Sequence, residues 1–234
     1  MAGDLLRLLR ATVLPAVLRY RAGRAGRWRP GAGRALTYAQ YIAPALLASS
    51  AMNGAIADST MNVFYKLKFA KLYDGMLATS LGPMDVALGE IGWALSRGGL
   101  YAAGFVLVML AMRLILSPWG LLLIPAALLI ALGFAAVGMA VTTYLRGWQD
   151  LELVTVFTLP MFLFSGTFYS LNAYPVGLRI AVECLPLHHG VVLLRSLAVG
   201  DINAGLCWHA GYFVAMAIAG LWLTTRRLGT LLLK

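Results

Sequence analysis

Long apolar runs separated by short polar segments dominate this chain. A helix needs about 20 mostly apolar residues to cross the ~30 Å hydrocarbon core of a bilayer. Five runs meet or approach that length with few charged residues. They are residues 41–60, 99–116, 121–144, 153–171 and 205–224. The pattern therefore predicts an all-α fold, a polytopic bundle of transmembrane helices with five clear spans.

The segment 174–199 is also apolar, but it is too interrupted to be a sixth span. Pro175 and Pro186, together with charged and histidine side chains, divide it into two halves that are each too short to cross. Two short helices that enter and leave one leaflet fit this pattern, provided that protein or water shields the backbone between them. We therefore expect a re-entrant helical segment on one face of the bundle.

Composition narrows the class of protein. Of the 234 residues, 61% are hydrophobic and 12% are charged, which is about half the charged share of a soluble domain. The mean hydropathy is +0.80. These values exclude a disordered chain, a disulfide scaffold and an ordinary cytosolic enzyme. The formal net charge is +10, but the basic residues lie in short clusters between apolar runs, where topology signals belong, so we expect no nucleic-acid partner.

The two sides of the predicted bundle carry unequal numbers of basic residues. The richer side has Lys66, Lys68, Lys71, Arg97, Arg146, Arg226, Arg227 and Lys234, and the poorer side has Arg113, Arg179 and Arg195. Because cytosolic loops carry an excess of Lys and Arg, we expect the richer side to be cytosolic. The broken segment then faces outside, and we expect a multi-pass protein of a cell membrane.

Residues 1–36 form an atypical Arg-rich leader, and residues 37–234 form the predicted transmembrane domain. The leader conflicts with the charge rule, because a single span would place it on the side opposite the loop 62–98. Either the short apolar stretch 5–18 crosses despite its arginines, or a span is missing, or the rule fails here. A central Arg costs about 2.5–3.5 kcal/mol on insertion scales, so the first option is expensive.

The predicted cytosolic loop, residues 62–98, contains the pattern of a short helix. Pro83 after Gly82 suits a first helical position, and Asp85 then lies near the positive helix end. Apolar residues recur at helical spacing in one stripe, namely Met84, Ala87, Leu88, Ile91, Ala94 and Leu95. We predict an amphipathic cytosolic helix that either lies on lipid headgroups or protrudes to dock on a cytosolic partner.

No catalytic constellation stands out. The chain lacks G-x-x-x-x-G-K-[ST], so it cannot bind ATP in the P-loop manner, and we predict a subunit that is not an enzyme and holds no cofactor. The histidine and cysteine spacing fits no standard zinc pattern, so we predict no metal site. We expect Glu183, His189 and Arg195 to satisfy one another or water, because polar groups at membrane depth need partners.

Several blocks resemble type-2 ABC exporter permeases, the ABC-2 type membrane subunits, in the group of nodulation protein J and the daunorubicin-resistance permeases. They are YDGMLATSLGPMDVALGE at 73–90, LPMFLFSGTFYSL at 159–171, PLHHGVVLLR at 186–195 and TYAQYIAPALLAS at 37–49. The resemblance implies a permease that is surrounded by membrane lipid and works with a separate ABC ATPase and a second permease copy. Together they would export a lipid, glycolipid, oligosaccharide or hydrophobic drug across the membrane. The family has six spans, and here the first has no counterpart upstream of residue 37.

The resemblance also implies roles for particular residues. For coupling to the ATPase, which binds the ATP, it implies Tyr73, Asp74, Thr79, Leu81, Pro83 and Asp85. For the substrate path or outer gate it implies Phe164, Phe168, His189 and Arg195. The aromatic cluster around them is explained by packing or lipid contact, or by an apolar lining for a lipid-like substrate. Two other classes of function are left open by the residues alone: an ion-coupled secondary transporter, which needs ionisable groups near mid-membrane, and a membrane enzyme acting on a lipid head group, which needs clustered acids or a metal motif.

Overall fold

The computed structural model describes residues 36–168 and 176–232, and every element in these two stretches is helical. The prediction of an all-α fold is confirmed. Most of the leader 1–36 lies outside the described residues, as do the end of the fourth predicted span, 169–171, and the start of the broken segment. The chain divides into two compact units, Met1–Ile42 and Ala43–Lys234. In the first unit, Thr37 and Gln40 each accept a hydrogen bond from the other's backbone N–H and so cap the start of the first helix.

Nine α-helices lie in the described residues. They are α1 (Tyr38–Ala57), α2 (Val63–Lys68), α3 (Leu72–Leu77), α4 (Pro83–Ala111), α5 (Leu123–Thr142), α6 (Trp148–Phe164), α7 (Val176–Glu183), α8 (Pro186–Val199) and α9 (Gly205–Leu232). A π-helical turn, Asp58–Asn62, joins α1 to α2, and a 3-10 turn, Pro118–Leu122, precedes α5. The two short helices expected after residue 174 correspond to α7 and α8.

Three helices in the described part of the chain are long and apolar enough to cross a membrane. They are Pro83–Ala111, Pro118–Thr142 and Gly205–Leu231, and they contain most of the second, third and fifth predicted spans. Most residues of the first and fourth predicted spans lie in α1 and α6. Neither of these two helices is both as long and as apolar as the three long helices need to be to cross a membrane. The prediction that these two helices also cross the membrane, and that α7 and α8 re-enter it, stays a prediction.

Helix α5 lies at the centre of the second unit and packs against α4, α8 and α9. Its crossing with α9 is close, because a Cβ atom on Gly220 would lie only 2.6 Å from the backbone carbonyl carbon of Ala136. Small residues at such crossings let backbones approach, as is common in membrane helices. Large apolar side chains on the outer faces of α4 and α9, such as Leu100 and Trp208, are exposed, which suits surfaces that lipid covers.

The two ends of the second unit differ in charge. We call one the basic end, defined by Lys66, Lys68, Lys71, Arg146, Arg226 and Arg227. Its elements are joined by contacts between Phe64 and Trp148, whose ring centres are 5.6 Å apart, and by the guanidinium of Arg227 lying 4.2 Å from the Tyr144 ring centre. At the opposite end the backbone N–H of Leu116, in the loop after α4, donates to the carbonyl of Ala198 in α8 (3.0 Å). Six of the eight basic residues predicted for the richer side therefore lie at one end of the fold, whereas Arg97 lies within α4 and Lys234 lies outside the described residues.

The predicted short amphipathic helix and the predicted second span are one continuous helix, α4. The pattern predicts a boundary near Arg97 and the two glycines that follow it, but the helix passes through them because glycine is tolerated inside a helix where a neighbour packs closely. A Cβ on Gly99 would lie 3.2 Å from the Leu128 side chain of α5. The helix also ends earlier than predicted, at Ala111, and Arg113 then adopts a left-handed φ of 53°.

Candidate functional site

The residues predicted to couple to an ATPase lie in α3, in the segment that follows it and in the first turn of α4, at the basic end. The exposed ones are Asp74, Thr79, Leu81 and Asp85. Tyr73 is fully buried in the core, and Pro83 is half-buried as the first residue of α4. The structure therefore brings these residues into one region, but it places Tyr73 beneath the surface that the others form.

Asp85 has a structural role at the start of α4. Its carboxylate accepts a hydrogen bond from the backbone N–H of Gly82 (2.8 Å), which satisfies one of the free donors at the helix N-terminus. Asp150 caps α6 in the same way, accepting from the N–H groups of Arg146 (2.7 Å) and Gly147 (3.2 Å). These two backbone hydrogen bonds, with the Arg146 charge, hold the pKa of Asp150 below its usual range.

Tyr73 lies beside a charged pair that the sequence did not indicate. Both carboxylate oxygens of Glu90 accept hydrogen bonds from the Lys66 ammonium at 2.8 Å. The Tyr73 hydroxyl is buried and has no hydrogen-bond partner of good geometry among the described residues. Burial raises the pKa of Tyr73 strongly, and the nearby negative charge of Glu90 raises it further. The hydroxyl therefore stays neutral at physiological pH.

An exposed apolar patch lies around the entrance to α4. Its members are Leu72, Leu81, Met84 and Leu88, each between 41% and 47% exposed, and we call this patch the loop surface. Only part of the predicted apolar stripe faces inward: Ala87, Ile91 and Ala94 are buried, whereas Met84 and Leu88 face outward. Met84 and Leu88 are thus on the outward side of a helix whose inward side packs in the core, and Leu72 and Leu81 extend the loop surface onto α3 and the segment between the two helices.

At the opposite end, a buried elbow follows α6. Gly166 has a φ of 80°, a left-handed conformation that favours glycine. The flanking hydroxyls of Ser165 and Thr167 are 2.8 Å apart and share a hydrogen bond. Helix α8 holds this elbow from two positions: Arg195 donates to the carbonyl of Gly166 (3.1 Å), and a ring nitrogen of His188 lies 3.2 Å from the carbonyl of Ser165.

His189 faces a different neighbour from the one expected. Its Nδ1 lies 2.7 Å from Nδ1 of His209 in α9, so one imidazole donates and the other accepts. Glu183 pairs with Arg179 (2.9 Å) within α7. Among the contacts seen here, Glu183 and His189 each have a partner outside the set Glu183, His189 and Arg195, so the expectation that these three satisfy one another or water stays a prediction.

The two aromatic residues predicted at the gate have separate environments. Phe168 packs edge-on against Phe162, with ring centres 5.3 Å apart. Phe164 is largely exposed and lines a groove of about 830 Å³ between α5 and α6. The groove runs from Tyr144 near the basic end to Pro186 near the opposite end, and its walls are almost entirely apolar. Its volume lies in the range of about 300–1,000 Å³ typical of ligand pockets.

Within residues 36–168 and 176–232, no cluster of three or more His, Cys, Asp or Glu side chains could hold a metal ion.

The sequence model of the ABC-2 type transporter family matches residues 1–199. The chain belongs to the ABC-2 type transporter family. It is 28% identical over 202 residues to nodulation protein J of Rhizobium leguminosarum bv. trifolii, covering 85% of this chain and 76% of that protein. It is 30% identical over 206 residues to nodulation protein J of Bradyrhizobium diazoefficiens, covering 82% and 75%. No solved structure matches the chain.

Membership of the ABC-2 type transporter family confirms the resemblance drawn from the four sequence blocks. It identifies the chain as a membrane-embedded transport subunit, and the three long apolar helices agree with that. The matched region begins at residue 1 and so includes the leader 1–36. The absence of a counterpart to the first family span upstream of residue 37 stays a prediction.

Sequence reasoning about this ABC-2 chain did not identify the residues whose contacts are with residues distant in the sequence. His188 is more buried than His189 and contacts the elbow, although both lie in the same block. Glu90 closes the block at 73–90, but only the fold brings Lys66 to it. Asp150 was detectable, since a carboxylate three residues after Gly147 at a helix start is a capping signal.

Proposed function

We propose that this chain is the transmembrane permease subunit of an ABC exporter in a bacterial plasma membrane. A separate ABC ATPase binds ATP and docks at the basic end. Two permease copies form the transport unit, and their rigid-body tilting opens a path for a lipid, glycolipid, oligosaccharide or hydrophobic drug. The observation that carries this proposal is the loop surface, an exposed apolar patch at the basic end of a chain that belongs to a transport family.

The loop surface suits protein docking for two reasons. Exposed large apolar side chains that cluster on one face commonly mark interaction sites. The patch also lies at the start of α4, whose capped first turn and half-buried Pro83 give it a fixed shape. Asp74 and Thr79 are exposed beside it and supply polar contacts at its rim. Tyr73 supports it from below as a packed, neutral side chain.

The substrate path is proposed from the opposite end. Arg195 and His189 hold α8 to the elbow and to α9, and Phe164 faces the apolar groove beside α6. In α6 only Leu151 is buried, so most of this helix presents apolar surface outward. A second permease copy or lipid would cover that surface. The apolar groove favours a substrate with a hydrophobic portion.

A pair of matched substitutions tests the docking proposal. Leu81 on the loop surface is 46% exposed, and Ile202 in the loop before α9 is 44% exposed at the opposite end. Both would be changed to Asp in the full chain, and the purified protein would be reconstituted in lipid with a candidate ABC ATPase from the same organism. We expect Leu81→Asp to lower ATPase co-purification and stimulation, and Ile202→Asp to leave both unchanged. Equal binding by the two variants would contradict docking at the loop surface.

A further inference from the structure

Two ion pairs join α4 to the chain segment that precedes the loop. Lys66 of α2 pairs with Glu90 of α4 at 2.8 Å, and Asp58 of the π-helical turn pairs with Arg97 of α4 at 3.0 Å. The carboxylates are the more buried partners, with side chains 11% and 16% exposed. Removing one partner would leave a partly buried carboxylate without its counter-charge, which is destabilising, although less so than in a fully buried pair because Lys66 and Arg97 are 26% and 44% exposed. These pairs therefore fix how the two segments lie against each other.

The spacing of the two pairs depends on the π-helical turn. On α4, Glu90 and Arg97 are seven positions apart, so at about 100° per residue they share one face. On the other segment, Asp58 and Lys66 are eight positions apart, and in a regular α-helix they would diverge by about 80°. A π-helical turn accommodates one extra residue, so Asp58–Asn62 returns the two side chains to one face. The turn places both charges opposite their partners.

Helix α5 holds the π-helical turn in place. The hydroxyl of Thr142 donates to the carbonyl of Ser59 (2.9 Å), a buried contact between α5 and the turn. Gly138 faces the same turn, and a Cβ atom there would collide with the Ser59 hydroxyl. The turn is thus seated on the central helix of the bundle, while its flanking charges hold α4.

We propose that Asp58, Lys66, Glu90 and Arg97 are positioning residues that lock the register of segment 58–68 against α4. The inference rests on the proposed function, because the motion that they transmit begins at the loop surface on the first turns of α4. With both pairs formed, a push on α4 moves segment 58–68 with it, and the seat on α5 carries that displacement into the bundle. With the pairs broken, α4 shifts alone, and the ATPase cycle is uncoupled from the substrate path.

Charge reversal in the full chain tests this lock. Lys66→Glu and Glu90→Lys each place like charges face to face, and the double variant restores opposite charges. The readouts are melting temperature in detergent and substrate-stimulated ATP hydrolysis with the ATPase partner in lipid. We expect each single variant to lower the melting temperature by at least about 2–4 °C, the shift that corresponds to about 1 kcal/mol in a chain of this size, and to lower stimulation severalfold. The double variant regains most of both.

The pair Arg179–Glu183 provides the control, because both of its side chains are about half exposed and lie on one helix. Reversing its charges should change neither readout. Insertion of one alanine after the exposed Met61 tests the register itself, since the added residue turns Lys66 by about 100° relative to Asp58. In that background Lys66→Ala should have less effect on melting temperature than in the parent chain, because the pair with Glu90 is already lost.

The results separate three kinds of failure. If the double reversal is no more stable than the single variants, or if Lys66→Ala has the same effect with and without the inserted alanine, the register lock is refuted. If the melting temperatures follow the expectation but stimulation is unchanged in all variants, the pairs are structural only and the positioning role is refuted. If the parent chain stimulates no ATPase while the melting temperatures follow the expectation, the proposed function fails and the lock itself stands.

Discussion

The close crossing of α5 and α9 provides the sharpest test of the fold. A Cβ atom added at Gly220 would lie 2.6 Å from the backbone carbonyl carbon of Ala136 and 2.7 Å from the backbone nitrogen of Val137, whereas ordinary contact begins at 3.4 Å. Backbone atoms cannot rotate away as a side chain can. The change Gly220→Ala therefore forces the helices apart by up to about 0.8 Å locally, and a gap of that size forfeits about a quarter to a half of each affected dispersion contact.

The magnitude is the balance of two effects. Overpacking of a well-packed core costs about 1–3 kcal/mol, and replacing a mid-helix glycine by alanine gains about 0.5–1 kcal/mol. We expect a net loss of about 1–2 kcal/mol for Gly220→Ala, which lowers the melting temperature by about 2–8 °C for a chain of this size. Gly211 lies on the same helix with nothing within 4 Å of its added Cβ. Gly211→Ala should keep the propensity gain and be neutral or stabilising.

The assay is thermal unfolding in detergent, followed by the loss of the monodisperse peak in size-exclusion chromatography. Both variants and the parent chain would be purified in the same detergent. The reasoning is refuted if Gly220→Ala is as stable as Gly211→Ala, because the two substitutions differ only in what the new methyl group meets.

Three further predictions concern single contacts at or near the basic end. Tyr73→Phe removes a buried hydroxyl that has no partner of good geometry in the described chain. We therefore expect the stability to be unchanged or to increase by up to about 1–3 kcal/mol. Tyr73→Ala, which empties a core position, should lower the stability by about 3–5 kcal/mol, and both variants are measured by thermal unfolding. Asp150→Asn should lower the stability at neutral pH, because the folded-state pKa of Asp150 is depressed. The difference in stability between the variant and the parent chain should be constant at pH values well above the ordinary pKa of 3.8. It should disappear as the pH falls through the lowered folded-state pKa. Gly138→Ala should be destabilising because its methyl group meets the Ser59 hydroxyl. Adding Ser59→Ala should recover part of that loss in stability. Additive effects of the two substitutions would contradict the contact.

The helices and their division into two ends could be predicted from the sequence. Hydropathy located the residues of the three long apolar helices, because lipid-facing and core-facing residues are both apolar and only the ends are marked by charge. Proline and glycine located the starts of α4 and α8, where Pro83 and Pro186 occupy the first helical position. The separation of basic residues followed from the same pattern.

Side-chain partners could not be predicted in this way. Glu183, His189 and Arg195 share a segment, so sequence proximity suggested a network, yet His189 pairs with His209 twenty positions away and Arg195 with the elbow. Each choice depends on which helix lies opposite, and that is a property of the tertiary fold. The π-helical turn Asp58–Asn62 could not be predicted either, because no residue pattern marks where a helix accommodates one extra residue.

The continuity of α4 changes the physical picture of how a signal at the basic end would reach the bundle. A separate amphipathic helix on the headgroups would need a flexible joint to the span that follows, and a joint at Gly98 and Gly99 would absorb much of any push. The continuous helix Pro83–Ala111 has 29 residues, which corresponds to about 44 Å at 1.5 Å per residue. Its first turns carry the loop surface, its middle carries Glu90 and Arg97, and its later turns bury Val106 and Met109 in the core. Displacement of one end of a rigid rod held at its middle must move the other end, so the same helix can receive a force and deliver it without any further moving part.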